Sequence, residues 1–405
     1  MGSSRFSVDM SSTSTASAFT KTTAIRFVVL FGIVSLFADM TYEGSRSITG
    51  QYLATLGTSA AVVGVVAGLG ELLGYGLRLV SGRWAERTQK FWPLTLFGYF
   101  IQMVSVPMLA LAGNWQAAAL LILAERVGKA TRNPPRDVML SHAAKEIGYG
   151  WGFGLHEALD QLGALIGPLA VAFVLARRGG YREAFAVLLI PALVTLALVM
   201  VARFMYPRPE DFERHTGELH GEGFSREYWI YLVAAALVAA GFADFQLIAY
   251  HFQKADAFHV AWIPILYAIA MAVSGAGSLA FGKMFDRFGI RVLVPLTIVT
   301  ALFAPFVFFG GFWTAVAGAV LWGLGMGVHE SIVPAAVAHL VPSQKRPSAY
   351  GIFTAGYGIA WFLGSAIEGV LYDHSVMAMV VFCLVVQLAA VPVLWRLGKI
   401  IPTSQ

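Results

Sequence analysis

Gly82-Arg83-Trp84-Ala85-Glu86-Arg87-Thr88-Gln89-Lys90 and, 200 residues further on, Gly282-Lys283-Met284-Phe285-Asp286-Arg287-Phe288-Gly289-Ile290-Arg291 read as two copies of one loop. Each copy follows a long apolar run and precedes another. Phe37-Ala38-Asp39 is answered by Phe242-Ala243-Asp244 at an offset of 205, and the Gly163 to Gly167 stretch by Gly364 to Glu368 at 201. A nearly constant offset over the whole chain is the signature of a duplicated unit.

The runs between these landmarks define the unit. Hydrophobic residues make up 58% of the 405-residue chain and charged residues 13%, about half the share a soluble domain needs for its surface. Twelve apolar stretches are predicted, at about 26–55, 59–80, 92–112, 115–138, 150–175, 183–204, 228–250, 260–281, 291–310, 313–340, 349–371 and 376–397. Each is long enough to cross a hydrocarbon core of about 30 Å as a helix. Helix is the default because lipid offers the backbone no hydrogen-bond partner, and the runs lack the short alternating segments of a barrel. The fold expected is all-α, with twelve transmembrane helices in two parallel six-helix bundles. The boundaries read 1–25 (disordered tail), 26–205 (first bundle), 206–227 (linker rich in charge, Pro and Gly), 228–397 (second bundle) and 398–405 (tail).

Orientation follows from counting basic residues. Of 28 Lys and Arg, eighteen fall in the tails and even-numbered loops, four in the odd-numbered loops, and six inside spans. That asymmetry predicts a multi-pass protein of the cytoplasmic (inner) membrane with both termini in the cytoplasm. It also accounts for the net charge of +5 without a nucleic-acid partner. The single cysteine, Cys383, excludes a disulfide framework, and the nine His show no metal-ligand spacing. No metal, no cofactor and no catalytic set or phosphate loop is expected.

At the duplicated loop the chain resembles the major facilitator superfamily. The family's Gly-x-x-x-Asp-Arg-x-Gly-x-Arg/Lys pattern is met in full by Gly282, Asp286, Arg287, Gly289 and Arg291. The first copy keeps Gly82 and Arg87, but Glu86 stands for Asp and Gln89 for the second Gly. Span 4 resembles the family's second motif through Arg126. Span 5 partly resembles its antiporter motif through Gly163, Gly167 and Pro168, without the Gly pair that follows there. An acidic side chain in this loop can sit near the N-terminus of a neighbouring helix; the resemblance implies that this latches one face shut, the alternative being a stabilising interhelical cap without gating. It also implies that helices 1, 4, 7 and 10 line a central cavity.

Charges inside the spans carry the functional reading, since each costs about 2.5–3.5 kcal/mol at mid-bilayer. Asp39, Glu43 and Arg46 share one stripe of span 1; Glu125, Lys129, Arg132 and Arg136 form another on span 4; span 5 holds His156, Glu157 and Asp160. The second half is sparser, with Asp244, His329, Glu330 and Glu368. The resemblance makes Asp39, Glu43, Arg46, Lys129, Arg132, Asp244, His329 and Glu330 candidates to face the pathway, and Glu157 and Asp160 join them as expected proton-coupling or cavity residues. A carboxylate in such a cavity can load and release a proton, and Asp39 and Glu43 lead that reading, with Glu330 next. The alternative is permanent ion pairing, as in Glu43–Arg46 or Asp160–Arg132. Lys129 and Arg132 either bind an anionic substrate group or neutralise Glu157 and Asp160. Glu71 and Arg78 read as structural, with Arg78 snorkelling. Trp361, Tyr357 and Phe353 either line a cavity or pack.

The expected function is a monomeric secondary transporter driven by the proton gradient, moving a small molecule across the bilayer, with export by antiport favoured. Proton symport of an anionic solute is the alternative. A receptor or scaffold on the same fold is the other class.

Overall fold

A computed structural model describes residues 21–207, 223–342 and 345–400. The tail expected over 1–25, the linker over 206–227 and the tail from 398 fall partly or largely outside them. The described chain is helical throughout: α1 (Lys21–Thr55), α2 (Ala60–Thr88), α3 (Phe91–Met108), α4 (Trp115–Ile147), α5 (Tyr149–Ala176), α6 (Tyr181–Val187), α7 (Leu189–Met205), α8 (Arg226–Ala240), α9 (Phe245–Ala255), α10 (Trp262–Phe288), α11 (Leu293–Ala301), α12 (Phe303–Phe308), α13 (Phe312–Leu340), α14 (Arg346–His374) and α15 (Val376–Ile400). Two short 3-10 turns, Leu109–Leu111 and Gly289–Val292, complete it.

Among the described residues ten stretches are apolar and long enough to cross a membrane, and one of these, Trp262–Phe308, contains two passes separated by the Gly289 turn. The twelfth pass is α4, which its charge stripe keeps out of a hydropathy count although the helix runs for 33 residues. Twelve passes in two six-helix halves result.

Three passes are broken, each for an identifiable reason. α6 ends at Val187 and α11 at Ala301, each four residues before a proline (Pro191 and Pro305) that lacks the N–H their carbonyls would accept from. The seventh pass breaks at Gly241–Asp244, between α8 and α9. Its freed carbonyls find side chains instead: Gln387 Nε2 donates to Gly241 O (2.7 Å) and Trp322 Nε1 to Ala243 O (2.9 Å). Irregular backbone at membrane depth is tolerated when protein groups satisfy it in this way. The matching Phe37-Ala38-Asp39 lies inside unbroken α1, so the two halves diverge in backbone where their sequences agree best.

The glycines singled out in the fifth pass set the packing of the first half. A Cβ on Gly163 would lie 2.2 Å from Leu36 O, and one on Gly167 2.2 Å from Met40 O, so α5 rides directly on the backbone of α1. The turn after α10 uses Gly289 at φ +61°. Its counterpart Gln89 adopts φ +56° without being glycine and closes α2 by donating its N–H to Ala85 O (2.8 Å). Both helices thus end through a positive φ, but not in one conformation: Gly289 has ψ −150°, whereas Gln89 has ψ +18°, in the left-handed helical region, at some conformational cost.

Candidate substrate cavity

The two halves pack closely against each other at one end and enclose a cavity toward the other. At the closed end the backbones touch: a Cβ on Gly50 would fall 1.8 Å from Gln246 O, and one on Gly64 2.2 Å from Ser365 O. Asp373, at the end of α14, spans the halves and accepts hydrogen bonds from the first two N–H groups of α2, Ala60 and Ala61, both at 2.9 Å. Tyr250 donates to Thr58 O (3.0 Å), and the Tyr181 hydroxyl lies 2.6 Å from Gln253 Oε1 and 2.9 Å from Gln51 Oε1.

From mid-bundle toward the end that carries Lys21 and Ile400, the halves enclose a cavity of about 650 Å³, a volume suited to a small organic molecule. Its wall extends as far as Arg78, Asn133, Leu279 and Tyr350, close to the loops of that end. Eight of the expected residues line it: Asp39, Glu43, Arg46, Lys129, Glu157, Asp160, His329 and Glu330. Phe353, Tyr357 and Trp361 line it too.

Two expected lining residues stand behind the wall. Arg132 is fully buried; it donates from Nε to Gln102 Oε1 (2.5 Å) and from Nη1 to Tyr99 Oη (3.0 Å), and its other Nη lies 3.9 Å from Asp39. Asp244 accepts from Ser365 Oγ (2.7 Å) and Trp361 Nε1 (3.3 Å), and the seventh pass contributes no lining residue among those described. The suggested ion pairs Glu43–Arg46 and Asp160–Arg132 do not form. Arg46 turns instead to Glu71 (2.9 Å), and Glu43 crosses between halves to accept the Tyr267 hydroxyl (2.5 Å).

Glu71 is the main surprise. Its Oε1 receives Arg46 at 2.9 Å and Arg126 at 3.0 Å, all three side chains being buried, and it lines the cavity together with Arg78. Arg126 also donates to the Tyr42 hydroxyl and approaches Glu125 at 3.7 Å. The family motif residue of the fourth pass is thus one arm of a buried charge cluster that joins α1, α2 and α4. Sequence reasoning read Glu71 as structural and did not place it on the cavity, because its partners lie 25 and 55 positions away; a lone carboxylate amid the glycines of an apolar span was the available signal.

The lining carries six carboxylates (Asp39, Glu43, Glu71, Glu157, Asp160, Glu330) against three cations (Arg46, Arg78, Lys129), so the cavity is acidic by formal charge. Lys129 sets its ammonium over the Tyr42 ring, 3.6 Å from the centroid, and makes no ion pair among the described residues. His329 hydrogen-bonds Tyr357, and Ser274 donates to Glu330 (3.1 Å). The duplicated loops sit at the open end. There Arg291 Nε donates to Gly398 O (2.7 Å), Gly82 lies by Pro134, Asp286 and Arg287 make no ion pair among the described residues, and the Glu86 side chain lies outside the description.

Twelve helices in two halves, enclosing a charged cavity closed at one end, are the build of a polytopic membrane transporter. The chain belongs to the major facilitator superfamily: the sequence profile of that family matches residues 29–309 and 232–403. An uncharacterized protein of Mycobacterium tuberculosis (strain ATCC 25618 / H37Rv) is 43% identical over 389 residues, which is 94% of this chain and 95% of that one. An uncharacterized MFS-type transporter of Methanocaldococcus jannaschii is 23% identical over 86% of this chain and 89% of its own length. Among solved structures, the nucleoside transporter NupG superposes with a TM-score of 0.72 at 14% identity, covering 92% of this chain and 98% of that one. A bacterial homolog to the human lysosomal transporter Spinster, in an inward-facing and occupied conformation, also gives 0.72 at 14% identity, covering 93% and 95%. At that identity the likeness is one of fold.

Proposed function

We propose that this protein is a proton-coupled secondary transporter that exports a small molecule by antiport. The observation that carries the reading is the excess of carboxylates in a cavity closed at one end, where protons and a substrate compete for the same groups. Asp39 and Glu43 lead as proton sites. Asp39 lies at the edge of ion-pair distance from its nearest guanidinium, and Glu43 is held by a hydroxyl of the opposite half. A proton on Glu43 changes the bond that ties α1 to α10, so loading there acts on the contact between halves. With both termini in the cytoplasm of an inner-membrane protein, as the basic-residue asymmetry supports, the cavity opens inward.

Reconstitution in proteoliposomes under an imposed pH gradient tests this, after thermal-shift screening of the purified protein has supplied a ligand. The gradient should drive flux in the wild type, and Asp39→Asn and Glu43→Gln should each abolish that drive while leaving ligand binding. Gradient-driven flux that survives in both variants would sink the coupling assignment. One observation favours proton symport of an anionic solute instead: Lys129 offers the cavity an ammonium without an ion-pair partner. Direction of flux against the gradient separates the two.

A further inference from the structure

The charges of the cavity are not evenly matched. Glu71 has two guanidinium partners and Asp39 lies 3.9 Å from Arg132, yet Glu157, Asp160 and Glu330 have no cation within 4 Å among the described residues. Glu157 belongs to the first half and Glu330 to the second, and they flank the seam where α5 meets α10. There Gln161 donates to Glu157 (3.0 Å) and abuts Gly275, whose Cβ would lie 3.3 Å from Gln161 Oε1; the neighbouring Ser274 donates to Glu330 (3.1 Å). Two acceptors at this seam, Asp160 Oδ1 and Gln161 Oε1, are buried and receive no hydrogen bond from the described residues. A buried acceptor left bare is costly, so the place calls for a donor.

The facing wall is aromatic. Tyr75 of α2 meets Tyr357 (5.6 Å between centroids) and Trp361 (6.5 Å) of α14, and all three line the same cavity. Such rings bury apolar surface and also attract a cation.

We propose that the cavity binds an amphipathic organic ammonium ion, its N–H groups held among Glu157, Asp160 and Glu330 and its apolar body lying on Tyr75, Tyr357 and Trp361. The proposal rests on the transporter reading and adds the class of substrate. At this seam an anion would meet three carboxylates with no cation within 4 Å among the described residues, while the ammonium of Lys129 sits over the Tyr42 ring; a neutral molecule would leave those carboxylates without a counter-charge at that distance. The ammonium ion also gives one carboxylate from each half a shared counter-charge, which offsets the like-charge repulsion that opposes closure of the cavity.

Binding of dansylcadaverine to the purified full chain, read by dansyl emission excited through tryptophan, tests the assignment without any pH gradient. Its neutral N-acetyl derivative and the anionic dansylglycine serve as comparisons that need no mutation. The cationic probe should bind at least about tenfold more tightly than either, a difference of about 1.4 kcal/mol. Glu157→Gln and Glu330→Gln should each erase most of that preference while leaving the acetylated probe unchanged; Trp361→Ala should weaken both. Equal or tighter binding of dansylglycine, no penalty on acetylation, or no binding of any probe overturns the proposal. A cationic probe that binds but is not moved by a pH gradient refutes the coupling and leaves this site standing. Gradient-driven flux of some other solute, with no preference for the charged probe, does the reverse.

Discussion

Replacing Asp373 with Ala should loosen the closed end. The carboxylate accepts two backbone N–H bonds of 2.9 Å at the start of α2, from a helix of the opposite half. Hydrogen bonds to a charged group contribute about 1.5–3 kcal/mol when buried, and a carboxylate at a helix N-terminus about 0.3–1 kcal/mol at an exposed site. Asp373 is exposed, so the two bonds together are placed near the low end, at about 1–2 kcal/mol. A change of that size alters a two-state population by about 5–30-fold. Spin labels on Gly113→Cys and Ala255→Cys, both exposed and both at this end, report the distance between halves; the native Cys383 is fully buried and stays unlabelled. Gly113 has open space around its Cα, so the label does not disturb packing. Pulsed electron paramagnetic resonance should show the ratio of longer- to shorter-distance populations rising by that factor in Asp373→Ala and by less in Asp373→Asn, which keeps an acceptor but loses the charge. An unchanged distance distribution in Asp373→Ala would refute the latch.

Glu71→Gln should be among the most destabilising single changes in the cavity, because it leaves Arg46 and Arg126 buried with one counter-charge fewer. A loss of about 3–5 kcal/mol is expected for breaking a buried pair, read as a fall of several degrees in the thermal melt in detergent; an unmoved melt would show that the cluster contributes nothing to stability. Gly50→Ala should hold the closed end apart, since its Cβ would collide with Gln246 O at 1.8 Å, whereas Gly76→Ala, with open space around it, should leave the spin-label distance alone.

Much of the architecture was legible before any coordinates. The duplicated loops, the apolar runs and the offsets near 200 positions define two six-helix halves, because lipid leaves the backbone few options. What escaped was everything set by packing between distant helices. The break at Gly241–Asp244 looks in sequence like the continuous Phe37-Ala38-Asp39 stretch; it opens because Gln387 and Trp322, far along the chain, stand ready to take its carbonyls. Helical spacing within single spans put Asp39, Glu43 and Lys129 on charged stripes and Glu157 and Asp160 together on span 5, and the family resemblance, not spacing, pointed Asp39, Glu43, Lys129 and Glu330 at a cavity; all six line it. Glu71 and Asp373 were not found in this way, since each acquires its meaning from a partner on another helix. Arg132 shows the opposite case: its spacing places it on the stripe of Lys129, yet Tyr99 and Gln102 of α3 draw it behind the wall.

The charge stripe of α4 also bears on how the chain reaches the bilayer during synthesis. Glu125, Arg126, Lys129 and Arg132 would each cost about 2.5–3.5 kcal/mol to bury in lipid alone, more than the apolar residues of that helix return. α1, α2 and α3 leave the ribosome first, and they carry Tyr42, Glu71, Tyr99 and Gln102, the groups that receive those charges. The order of translation therefore presents the partners before the helix that requires them. On these costs α4 is expected to enter the bilayer against α1, α2 and α3 rather than alone.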